Sequence, residues 1–229
     1  PDVVYCCTDR FYKSTDGGED FDLVNDNLPS SSEAFRMELA VSPDDPDRVY
    51  ILAANSWDYG FLGVYESQDQ GDNWNTAADS PNILGWSMDG EGGGGQGWYD
   101  LDICVNPNDA DHIFVGGVNL WESTNGGNSW SINAHWVLGN TQNYVHADIQ
   151  YLGYKGNILW CGSDGGIFRS TNNGNSFSNK SSGLEIAQYY RFGMSPADPE
   201  YIIAGAQDNG CNLLSDGDWF HVLGADGME

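Results

Sequence analysis

Ser170-Thr171-Asn172-Asn173-Gly174-Asn175-Ser176-Phe177 is an eight-residue turn of the form Ser-x-Asp/Asn-x-Gly-x-x-aromatic. The same rule is obeyed by Ser14-Thr15-Asp16-Gly17-Gly18-Glu19-Asp20-Phe21, by Ser67-Gln68-Asp69-Gln70-Gly71-Asp72-Asn73-Trp74 and by Ser123-Thr124-Asn125-Gly126-Gly127-Asn128-Ser129-Trp130. An aromatic residue stands two positions before each serine: Tyr12, Tyr65, Trp121 and Phe168. Each residue type has a local reason. Ser and Asp or Asn side chains bond backbone amides inside the turn, Gly supplies the positive φ that closes it, and the final aromatic packs inward. The serines are 53, 56 and 47 residues apart, near the period of roughly 40–50 residues of four-stranded propeller blades with room for insertions.

A second repeat supports that reading. Val41-Ser42-Pro43-Asp44-Asp45-Pro46-Asp47, Val105-Asn106-Pro107-Asn108-Asp109-Ala110-Asp111 and Met194-Ser195-Pro196-Ala197-Asp198-Pro199-Glu200 each precede an apolar strand. Pro and Asp there end one strand and turn the chain into the next. The expectation is an all-β fold, a β-propeller of four-stranded antiparallel blades, about four and a half of them, forming part of a larger propeller or propeller pair, with a five-bladed ring closed by 224–229 as the alternative. The blades fall at about 1–34, 35–97, 98–143, 144–187 and 188–223, with 224–229 starting the next, all within a single unit 1–229. The first blade lacks its innermost strand, and the fifth has the shortened turn Ser215-Asp216-Gly217-Asp218-Trp219. Between the second and third blades, Ser80 to Gly97 is a glycine-rich insertion without the Lys-Ser/Thr of a phosphate loop, and such insertions tend to form binding rims.

Composition agrees. Thirty Gly, nine Trp, twelve Tyr and nine Phe describe strands and turns, and the net charge of −26 makes nucleic acid a poor partner. The carboxylates lack the ligand spacing of a calcium loop, so no cofactor is expected, with calcium left open and unplaced. Cys6, Cys7, Cys104, Cys161 and Cys211 contain no C-x-x-C, so no metal site is expected; they read as free thiols, with a Cys104–Cys161 bridge as the alternative. No apolar run is long enough to span a bilayer.

The repeated turns resemble the Asp-box, or BNR, repeats of sialidases, sortilin-type receptors and family 74 glycoside hydrolases, the xyloglucanases. The phrases Gly95-Gln96-Gly97-Trp98-Tyr99-Asp100-Leu101, Val145-His146-Ala147-Asp148 and Gly205-Ala206-Gln207-Asp208-Asn209-Gly210 are similar to those of large secreted Bacteroidetes surface proteins, which often end in a type IX secretion sorting domain. The resemblance covers essentially the whole chain. It implies an extracellular or cell-surface protein, with a polysaccharide or surface protein as partner and further domains of a larger chain beside it.

Ser163-Asp164-Gly165-Gly166-Ile167-Phe168-Arg169 is similar to the Asp-Val-Gly-Gly-Ala-Tyr-Arg phrase that carries a catalytic Asp in family 74. The resemblance therefore makes Asp164 the leading catalytic candidate, with Asp208 or Asp9 as second carboxylate. Against it, Asp9, Asn55, Asn119, Asp164 and Asp208 share one turn position, and two of the five are Asn. A sialidase arginine triad does not assemble from Arg10, Arg36, Arg48, Arg169 and Arg191.

Aligned on the Pro turns, Glu38, Asp102, Asp148 and Arg191 share one position of the innermost strand, and Arg36, Asp100, His146 and Tyr189 stand two residues earlier. Alternate positions are apolar, as Tyr190 and Phe192 are, so that face should be dry. The polar residues form either an ion-paired ring between blades or a funnel in which Asp102, His146 and Asp148 meet a ligand. Trp57, Trp86 and Trp98 present rings suited to sugar faces. Ser14, Asp16, Ser67, Asp69, Ser123, Asn125, Ser170 and Asn172 are read as structural. Three functions follow: recognition of a glycan or surface partner, the leading one; a family 74-like hydrolase acting on a β-glucan through paired Asp; and a structural module of a surface adhesin or filament.

Overall fold

The computed structural model describes residues 2–138, 143–184 and 186–227. Met228 and Glu229, the end of the segment expected to begin another blade, lie outside them. The chain divides into two compact units, one of residues 1–163 with 167–180 and one of 164–166 with 181–229.

Three strands, β1 (Val4–Cys7), β2 (Phe11–Ser14) and β3 (Asp22–Val24), form the first sheet in chain order. Next come β4 (Ala34–Val41), β5 (Val49–Asn55), β6 (Phe61–Ser67) and β7 (Asn75–Ala78), then β8 (Asp102–Asn106), β9 (Asp109–Gly116), β10 (Leu120–Ser123) and β11 (Ser131–Ala134). The fourth sheet holds β12 (Ile149–Lys155), β13 (Ile158–Ser163), β14 (Gly166–Ser170) and β15 (Ser178–Asn179). The fifth holds β16 (Tyr189–Met194), β17 (Ile202–Ala206), β18 (Gly210–Ser215) and β19 (Asp218–Leu223). Each four-stranded sheet is an antiparallel meander in chain order.

The first unit is held by dry layers between successive sheets. Alternate residues of a strand point to opposite faces, and β5 uses both. Val49, Ile51 and Ala53 pack with Phe11, Met37, Tyr65 and Trp74 on the side of the first sheet. Tyr50, Leu52 and Ala54 pack on the other with Ile103, Val105, Ile113, Val115 and Trp121 of the third. The switch repeats in β9, where Phe114 turns from Ile113 and Val115 to join Leu120, Ile149, Leu152, Leu159 and Phe168. A Leu, Ile or Phe buried this completely stabilises the fold by about 1.5–3 kcal/mol. The first strands are neighbours, β4 beside β8 and β8 beside β12.

The Ser/Asp/Gly turns close all four sheets of the first unit with one geometry. The serine hydroxyl donates to Oδ1 of Asp16, Asp69, Asn125 and Asn172 at 2.7, 2.8, 2.9 and 2.9 Å. It accepts the amide four residues on, from Gly18, Gly71, Gly127 and Gly174, at 2.8–2.9 Å. The same Oδ1 accepts the amides of Asp20, Asn73, Ser129 and Ser176. Gly71 has φ 83°, and a Cβ there would meet the Phe11 ring at 3.0 Å. Trp74 is buried beneath it, Nε1 donating to the Gly71 carbonyl at 3.1 Å, whereas Phe21 at the equivalent position is exposed.

Two sheets depart from the expected pattern. In the fourth, Gly156 (φ 59°) turns β12 directly into β13, pairing Lys155 with Ile158. No Pro turn exists there to carry the alignment. In the fifth, Asp216 and Gly217, at φ 54° and 84°, make a two-residue hairpin of the type favoured between twisted strands. Of the residues expected on its dry face, Tyr190 and Phe192 are exposed.

All five cysteines are free thiols. Burial holds Cys104 and Cys161 well above the usual thiol range. No helix among the described residues is long and apolar enough to cross a membrane.

Candidate functional site

Carboxylates gather where the first strands of the third and fourth sheets begin. Asp102 opens β8 and is partly buried. It accepts the amides of Ile103 at 2.9 Å and, from the next sheet, Leu152. Burial raises its pKa to about 6; the two amides and Arg36 oppose the rise and Glu38 adds to it. Arg36 and Glu38, on β4, form an ion pair at 2.6 Å, and the guanidinium also donates to the carbonyls of Tyr99 and Leu101. This part of the cluster ties three successive sheets together through hydrogen bonds to backbone groups, while its ion pair lies within β4.

Asp100 sits two residues before Asp102, outside the strand, in a turn whose amide donates to the Gln96 carbonyl at 3.0 Å. It is buried, and burial pushes its carboxyl up to about 8, with the nearby Asp148 charge adding to the rise and a hydrogen bond from Gln96 opposing it. The Gln96 amide nitrogen donates both to Asp100 Oδ2 at 3.2 Å and to Asp148 Oδ1 at 2.5 Å.

The alignment of His146 and Asp148 with β-strand positions does not hold. Strand β12 begins only at Ile149, and Asp148 has φ 62°, a left-handed backbone that no strand contains. The Gly156 hairpin shortens the fourth sheet's first connection, so counting back from a Pro turn misplaces everything upstream. His146 is partly buried with Nδ1 against the Ala147 carbonyl. The structure nevertheless brings Asp148 to Asp100 through Gln96, a meeting the alignment does not predict. Gln96 is absent from the candidates drawn from sequence, and Asp100 entered only as one of the aligned polar positions, not among the residues expected to meet a ligand. For Gln96 the signal was the phrase Gly95–Leu101, which holds it four residues before Asp100.

Aromatic side chains of the first unit stand out into solvent: Trp57 is 65% exposed, Trp98 54% and Trp86 52%. Their backbones are held firmly. Asn119 donates to the carbonyls of Gly85 and Trp86, and Asn82 to those of Gly92 and Gly94. Asp58 accepts the Gly94 amide at 2.9 Å, joining the Trp57 loop to the insertion. Trp98 lies against Tyr99, ring centroids 5.4 Å apart.

Asp164 and Asp208 both belong to the second unit. Asp164, partly buried, occupies the turn between β13 and β14. Asp208, at φ 58°, occupies the turn between β17 and β18, where its amide donates to Asp226 at 3.0 Å. It lines an open cleft of about 470 Å³ with Tyr189, Asn212, Trp219 and His221. Asp9 takes the same turn position in the first sheet and accepts the Thr8 hydroxyl. Among the described residues, no three His, Cys, Asp or Glu side chains are grouped to hold a metal ion.

The meandering four-stranded sheets define a β-propeller. No protein-family model matches the chain. It is 36% identical to a xyloglucanase from Paenibacillus sp. over 99 residues, which is 41% of this chain and 9% of that enzyme. In structure it is similar to the GH74 enzyme of Niastella koreensis, with TM-score 0.57 and 19% identity over 96% of this chain and 35% of that one. It is also similar in fold to YCF48 from Cyanidioschyzon merolae, with TM-score 0.53 and 13% identity over 93% of this chain and 63% of that one. The chain thus spans a small part of its enzyme relatives, and it resembles family 74 propellers in fold throughout and in sequence over part of its length.

Proposed function

We propose that this chain is part of an extracellular, family 74-like glycoside hydrolase that binds and cleaves a β-glucan of the xyloglucan type. The observation that carries the reading is the 36% identity to a xyloglucanase across 99 residues, on a backbone whose fold matches a GH74 enzyme. This inverts the order expected from sequence, where recognition without cleavage led. In this reading Asp164 and Asp208 are the acid and base, and inversion requires about 6.5–9.5 Å between two such carboxyl groups. Trp57, Trp86 and Trp98 offer apolar faces to sugar C–H groups and polar edges to hydroxyls.

The test is reducing-sugar release from xyloglucan by the protein that carries this chain. Asp164→Asn and Asp208→Asn should each lower kcat by about 10²–10⁴-fold while leaving oligosaccharide affinity near wild type. A second reading, glycan recognition without cleavage, is favoured by the exposure of the three tryptophans. It predicts binding that survives both Asn changes and weakens about tenfold, near 1.4 kcal/mol, in Trp86→Ala. Activity unchanged in both Asn variants sinks the hydrolytic assignment of those residues. Absence of both binding and cleavage sinks the glycan reading.

A further inference from the structure

Gln96 is the centre of a contact that spans two sheets. Its side-chain nitrogen donates at once to Asp148, 52 residues away, and to Asp100. Asp100 is 1% exposed, and its other oxygen, Oδ1, is buried with no hydrogen-bond partner among the described residues. An ionised carboxylate buried with one oxygen lacking a protein donor, beside a second carboxylate, is costly, whereas a protonated one facing an ionised neighbour is not. Asp148 has φ 62°, in the left-handed region that aspartate enters more readily than most residues.

We propose that Asp100 and Asp148 share one proton and, tied by Gln96, form a latch that holds residues 143–148 closed against the entry of β8, and that loss of the proton releases them. The groups around the pair leave it that role. Arg36 reaches the Tyr99 and Leu101 carbonyls but spends its charge on Glu38. Asp102 is turned to the Ile103 and Leu152 amides, and His146 to the Ala147 carbonyl. Asp148 is the charge that Asp100 meets.

The sign follows from linkage. In the closed latch Asp100 keeps its proton up to about pH 8; released into water it ionises near 4. Release therefore becomes easier as pH rises from about 4 to about 8 and levels off above that. The latch does not depend on any glycan, so its test stands apart from that of the proposed activity.

The test is hydrogen exchange of residues 143–148 in the intact protein, corrected for intrinsic rates, at pH 5, 7 and 9. Protection should fall by at least tenfold between pH 5 and 9 in the wild type. In Asp100→Asn, which keeps an acceptor for Gln96 and cannot ionise, protection at pH 9 should equal that at pH 5. Should that variant fail to fold, Asp148→Asn removes the neighbouring charge and should move the fall to lower pH. Wild-type protection indifferent to pH, or a fall identical in the variants that fold, overturns the latch.

Discussion

The same residue type behaves in opposite ways at the two ends of these sheets. In the outer turns Asp16 and Asp69 lie open to solvent, and hydrogen bonds hold both carboxyls below the usual range: chiefly from the Ser14 hydroxyl for Asp16, and from the Asn73 side chain and amide for Asp69. At the strand entries Asp100 and Asp102 are enclosed, and burial drives both up. Donors supplied by near neighbours stabilise a charge, whereas removal from water without enough donors stabilises the proton. The two outer-turn aspartates are therefore fixed anions of structure, and the inner pair are carboxyls pushed up toward neutrality.

The largest expected effect comes from what the outer turns rest on. Trp74→Ala empties a buried site beneath its turn and should cost about 3–5 kcal/mol, read as a shifted urea midpoint. Ser67→Ala comes next: it leaves the buried Gly71 amide without its acceptor and should cost about 1–3 kcal/mol by the same measurement. Loss of less than half that would mean the turn is held by packing alone.

Asp100→Asn tests the inner side. Its folded pKa of about 8 lies above the value of 3.8 expected for an exposed group, so its contribution to stability is largest at low pH and is lost as pH rises toward about 8. The wild type should lose at least about 1.4 kcal/mol more than the variant between pH 5 and 8.5, the worth of one pKa unit. Parallel urea curves at both pH values would refute this.

The smallest effect is expected for Asp69→Asn. Asn125 and Asn172 already fill that position with the same Oδ1 bonds, so the cost should stay under about 1 kcal/mol. Because the Asp69 pKa is lowered, its contribution is present at neutral pH and lost as pH falls through the folded value. The variant should therefore lack part of the wild-type decline in acid.

The four turns were legible because all their partners lie within four residues, so serine, acceptor and glycine can be read as one unit. The apolar runs of β5 and β9 announced strands; that both faces of each are buried was decided by the neighbouring sheets. The shared position given to Asp102 and Asp148 failed because it assumed one turn type in every sheet, and the fourth sheet turns on Gly156. The dry face expected of Tyr190 and Phe192 failed because alternation of apolar residues marks what can be buried, without supplying the surface that buries it.

Local chemistry, then, determined the repeat, the strand order within each sheet and the all-β class, since each depends on hydrogen bonds or alternation over a few residues. Only tertiary structure decided that Gln96, Asp100 and Asp148 meet and that Asp100 is buried. Burial and a neighbouring charge are properties of space, and the chain separation of 52 residues between Gln96 and Asp148 leaves no trace of them in the order of amino acids.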